Sequence, residues 1–117
     1  MSVDYPNDAD GGALRQLASL GNDMGAPMLI EFPVVVATEG LAKQFAEVAS
    51  AKGYDVHLWK HHDDPDWDVV CGVEMVPTHE GVVRHQRDLT ELAAPFQGYC
   101  DSWGTFGNKA QPNAVEK

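Results

Sequence analysis

The chain has 117 residues, enough for one domain that buries roughly two thirds of its unfolded surface without covalent staples. Its 18 Asp plus Glu against 8 Lys plus Arg give a formal charge of -10, which repels phosphate backbones and argues against direct nucleic-acid binding; such a surface either steers toward basic protein partners or, the reading composition alone favours, only keeps the protein soluble. Two cysteines are too few for a disulfide scaffold, and no apolar run approaches the roughly 20 residues that span a bilayer.

Met1 to Pro6 carries neither a basic n-region nor an apolar h-region, so a reducing cytoplasm is the expected compartment. Asp8 and Asp10 offer N-cap side chains, and Ala13, Leu14, Leu17, Ala18 and Leu20 follow at one-face spacing; this predicts a helix from about residue 8 to 20, ended by Gly21-Asn22. Pro27 to Ala37 is apolar and β-branched, hence a strand, although Pro33 cannot donate to a ladder. Either the strand starts effectively at Pro33 or one of its sides is unpaired there. Thr38 caps a second helix with Leu41, Ala42, Phe45, Ala46, Val48 and Ala49 as its stripe, stopped by Gly53. Tyr54 to Lys60 alternates as a strand, residues 60–66 make a polar turn, and Trp67 to Val76 returns as the hairpin partner. Thr78 caps a third helix with Val82, Val83, Gln86, Leu89, Leu92, Ala93 and Phe96 along it. Gly98 to Gly107 packs three aromatics into a glycine-rich stretch with no helical or alternating period, the mark of a shaped loop or edge strand. Residues 1–7 and 108–117 are read as flexible termini around a single domain over 8–107.

This order predicts an α+β fold: a ferredoxin-like split βαβ sandwich with an extra N-terminal helix, and the 100–106 stretch as a fourth, edge strand beside the first. Strand parity then puts Val56, Leu58, Trp67, Val69, Cys71, Val73 and Met75 toward the core. His57, Trp59, Asp68, Val70 and Glu74 face the other side. If nothing covers that side, Trp59, Val70 and Val35 form an apolar patch rimmed by acids, an interaction surface; the alternative is that the N-terminal helix or the Trp103 loop packs there.

Few residues suggest chemistry. His57, His61, His62, Asp63, Asp64 and Asp66 are the densest set of possible metal ligands, but a hairpin tip reads as a solvated turn, so no metal site and no cofactor is assigned. His79 sits in the first turn of the third helix, where general-base work is conceivable, yet no orienting partner stands beside it in sequence; His85, six residues on, falls on another face. Cys71 reads as an inert core thiol, and Cys100, in the glycine-rich stretch, as the exposed one. Asp101 either caps its turn, accepts from the Trp103 indole, or offers a carboxylate to a basic partner. No catalytic residue is assigned.

Tyr99 and Asp101-Ser102-Trp103-Gly104-Thr105-Phe106 resemble the Tyr-Asp-Gly-Trp-Gly-Thr-aromatic signature of the regulator of ribonuclease E activity B family, with Ser102 where that signature has Gly. Met75-Val76-Pro77-Thr78 and Leu14 to Asp23 are also similar to shorter members. The resemblance implies a ferredoxin-like fold without catalysis, and a regulator that binds the basic scaffold region of ribonuclease E and alters RNA turnover. The long acidic C-terminal extension of the enterobacterial inhibitor is replaced here by a near-neutral tail. Trp59, Val70, Asp101 and Trp103 are the candidate partner contacts. Tyr99, Trp103, Gly104 and Thr105, with Asp101, form the structural motif, in which Trp103 is an anchor and Gly104 a backbone enabler. Two readings from other classes stay open: a small ligand-binding or enzymatic domain using the open sheet face, or a dimerisation module unconnected with RNA.

Overall fold

The structure is a computed structural model that describes residues 5–63, 65–100 and 102–108. Three helices begin where the sequence supplies a capping oxygen. Asp8 accepts from the Gly11 N–H at 2.7 Å and opens α1 (Ala9–Ser19). Thr38 and Thr78 do the same for α2 (Glu39–Ala51) and α3 (His79–Ala93), through the Leu41 and Gly81 N–H groups. Each bond satisfies a donor that the helix itself leaves unpaired. Beyond α2, Gly53 takes φ 102, a left-handed conformation that lets the chain turn into the next strand.

The strands β1 (Met28–Val36), β2 (Asp55–Lys60), β3 (Trp67–Met75), β4 (Gly98–Cys100) and β5 (Gly104–Thr105) form an antiparallel sheet in the order β2-β3-β1-β4, with β5 also on β1. β1 is central and pairs with β3 along its whole length. On its other side it meets β4 only at Val34 to Val36 and β5 only at Ile30 and Glu31. Pro33 falls in the gap between these two, where a missing N–H does least harm to the ladder. Of the two readings of Pro33, the unpaired side is the one the structure has. Val34 faces Cys100 and Glu31 faces Gly104, three steps on one strand against four on the other, so the edge carries one extra residue. Gly98 lets that edge come close, since a Cβ there would stand 3.0 Å from the Val35 carbonyl and the Val36 side chain.

Alternation sorts β1 cleanly. Met28, Ile30, Phe32, Val34 and Val36 are buried and meet Val69 and Cys71 of β3, Phe45 of α2, and Val82 and Leu89 of α3 in one core. α1 packs against α3 and puts Leu14 into the same core. Large apolar side chains buried this way contribute about 1.5–3 kcal/mol each before entropy is counted. Both termini of the described chain are tied down. Arg15 donates to the Tyr5 carbonyl, and Asn108, placed in the tail by sequence, donates to the Asp23 carbonyl at 2.8 Å and takes a bond from the Asp23 N–H.

Candidate functional site

The odd residues of β1 point away from the core, and with them the even residues of β3 and the odd ones of β2. Register places Trp59, Asp68, Val35 and Tyr99 side by side across four strands, with His57, Val70 and Pro33 in the next row. Among the described residues no helix packs on this face: Trp59 is 66% exposed, Tyr99 48% and Leu29 43%. Glu31, Asp55, Asp68 and Glu74 share the face, so an apolar stripe is set in acids. His61 reaches back from the turn to Asp68 at 2.9 Å. Of the candidate partner contacts, Trp59 and Val70 are therefore neighbours on one open surface, and Tyr99 joins them.

Trp103 is elsewhere. Its ring is half-buried against the core and its indole N–H donates to Asp10 Oδ1 at 2.8 Å, so the acceptor comes from α1. Asp10 also accepts from Gln86 of α3, and Asp8 accepts from His79 Nε2 at 3.0 Å. The His79 ring thus has an orienting carboxylate, 71 residues away, that sequence proximity concealed. The bonds from Gly11 and His79 hold the Asp8 carboxyl below its ordinary range. Asp101 lies outside the described residues. Gly104 has open space where a Cβ would stand and no positive φ, so the expected backbone role falls to Gly98 instead. The Thr105 hydroxyl donates to the Leu29 carbonyl and accepts from the Gly107 N–H, pinning the end of the edge.

Cys100, expected to be exposed, is 7% exposed on β4, where both its backbone groups bond the Thr90 hydroxyl. Cys71 is fully buried, and burial pushes its thiol up to about 12. Neither position supplies an accessible thiolate. The hairpin histidines are not gathered: His57 lies 3.7 Å from Asp55 while His61 turns to Asp68. Among the described residues no three His, Cys, Asp or Glu side chains converge as metal ligands, and Asp64 of that set lies outside them.

A second feature escaped sequence reading. The Tyr54 hydroxyl and His85 Nδ1 stand 2.7 Å apart at the base of a groove of about 490 Å³ between the α2–β2 turn and α3. Desolvation pushes Tyr54 up to about 12 and His85 below its ordinary range, so both rings are neutral at pH 7. One hydrogen bond joins the phenol oxygen and Nδ1, and the imidazole tautomer sets which of the two donates. The His85 ring sits 5.4 Å from Phe32 and meets Tyr54 edge-on at 5.7 Å. One signal was available: His85 lies three residues after Val82 and four before Leu89, on the apolar face of α3.

Among the described residues no helix is long and apolar enough to cross a membrane. A family model described as regulator of ribonuclease activity B matches residues 7–105, and no curated protein matches the chain.

Proposed function

The chain belongs to the regulator of ribonuclease activity B family, and on that premise we propose that it acts without catalysis of its own, as a cytoplasmic protein that docks on the basic scaffold region of ribonuclease E and so adjusts RNA turnover. The strand order β2-β3-β1-β4, with α2 and α3 on the core side, supports reading the fold as a ferredoxin-like split βαβ sandwich to which α1 is added.

The observation that carries the docking reading is the open sheet face. Trp59 and Tyr99 stand exposed across one strand row, with Asp68 between them and further acids around them. Exposed aromatics supply binding energy at interfaces, and a basic partner meets complementary charge here. Arginine is suited to such a surface, because its guanidinium both stacks on aromatic rings and pairs with carboxylates.

The test is titration calorimetry of the purified scaffold region of ribonuclease E into the wild-type protein and into Trp59→Ser. Binding is expected with the wild type, weakened by raised salt, and about tenfold or more weaker with the variant, as for an interface hot spot. Trp59→Ser should leave stability within about 0.5 kcal/mol, since the ring is exposed. Undiminished affinity in Trp59→Ser would move the contact to another face, and absence of binding by the wild type would remove ribonuclease E as the partner.

A further inference from the structure

The groove over Tyr54 and His85 lies on the helix side of the sheet, away from the face assigned to the ribonuclease. Its chemistry is lopsided. Asp88 and Glu91 line it from α3, one turn apart. Lys52 and Gly53 line it from the end of α2, so the negative end of that helix dipole abuts the same space. Asp88 stands near enough for its charge to act on both Tyr54 and His85, while Arg84, which is not among the lining residues, acts on His85 in the opposite sense. Against these, Lys52 is the one cation among the described lining residues, and it is exposed. The walls are apolar: the Tyr54 ring, Leu89 and Leu92. A volume of about 490 Å³ matches small-ligand clefts, which join apolar walls to a few convergent polar groups.

We propose that this groove binds an organic cation with a short aliphatic stem, an alkylguanidinium or alkylammonium, whose head meets Asp88 and Glu91 while its stem lies along Leu92 and the Tyr54 ring. The Tyr54 ring and Leu92 give the stem apolar contact, and the carboxylates supply charge-assisted hydrogen bonds to the head. A phosphate or carboxylate ligand is disfavoured by the same two acids. A free amine and a basic side chain of a protein both carry such a head.

The test is an amide chemical-shift titration of the full-length, isotope-labelled protein with butylguanidinium, its neutral isostere butylurea, and a blocked Ala-Arg-Ala peptide. Saturable shifts centred on Tyr54, His85, Asp88 and Leu92 are expected with butylguanidinium and not with butylurea. Peptide binding assigns the source to a protein side chain; its absence beside butylguanidinium binding assigns a free small cation. Asp88→Asn should weaken binding about fivefold, the effect of one exposed ion pair, and Lys52→Gln should strengthen it by removing the competing charge. Asp88 and Lys52 are exposed, and shift dispersion verifies that both variants fold. Equal binding of the urea, no saturable shift with butylguanidinium, or weaker binding by Lys52→Gln would each overturn the site. None of these outcomes depends on ribonuclease binding, which is measured separately with Trp59→Ser.

Discussion

Trp103→Phe in combination with Asp10→Ala tests whether Trp103 holds the fold or serves the interface. Phenylalanine keeps most of the half-buried ring contact and deletes the indole N–H that donates to Asp10 at 2.8 Å. A hydrogen bond to a charged partner contributes about 1.5–3 kcal/mol, and a part-buried site places this one near the lower end, at about 1.5 kcal/mol. Asp10→Ala removes more, because the same carboxylate accepts from Gln86 at 3.3 Å. If the indole bond is the shared term, the double variant is less destabilised than the sum of the singles by about 1.5 kcal/mol, the value of the bond that both singles remove. Urea unfolding followed by far-ultraviolet circular dichroism measures all four proteins. Additivity within about 0.5 kcal/mol would refute the bond as a stabilising link between α1 and the edge. Unchanged stability in Trp103→Phe with lost ribonuclease affinity would return Trp103 to the list of partner contacts.

Protonation of His85 is opposed by desolvation, with Arg84 adding to it and Asp88 opposing, so its folded pKa lies below the ordinary value of 6.5. The unfolded chain therefore takes up the proton first: stability from this group is complete above about pH 6.5 and declines as pH falls toward the folded value. His85→Gln should flatten that part of a urea-midpoint-against-pH curve, and an unaltered curve would contradict the assignment. Both thiols should resist alkylation in the native protein and react on unfolding, since Cys71 and Cys100 are buried; rapid labelling of Cys100 in the folded state would contradict its place on β4.

Local patterns carried most of the fold. Asp8, Thr38 and Thr78 cap the helices that their positions announced, and two-residue alternation separated the Val69 and Cys71 side from the Trp59 and Val70 side. What local pattern cannot show is a pairing whose members are far apart in the chain. Tyr54 meets His85 across 31 residues, Asp8 meets His79 across 71, and Asp10 meets Trp103 across 93. Cys100 was misplaced for a related reason. Its glycine-rich surroundings suggest a loop, whereas Thr90, ten residues earlier, fixes its N–H and carbonyl and lays it against Val34.

These distant pairs decide how the open face comes to be open. Two dispositions were compatible with the sequence: an uncovered outer face of the sheet, or that face packed by α1 or the Trp103 loop. The acceptors that choose between them are Asp8 and Asp10 on α1, and their donors, His79, Gln86 and Trp103, sit on α3 and the sheet edge. Leu14 adds a fully buried side chain on the same side. Three polar links and the apolar contacts of Leu14 and Leu17 thus draw α1 to the helix layer, leaving the row from Trp59 to Tyr99 in solvent. Weakening the links from the α3 side by His79→Ala with Gln86→Ala leaves the Asp8 cap of α1 in place and frees α1 to leave α3, and the expected readout is loss of amide-exchange protection in α1 with β1 and β3 still protected. If α1 keeps full protection in that variant, the apolar contacts of Leu14 and Leu17 hold the helix and those two links are dispensable.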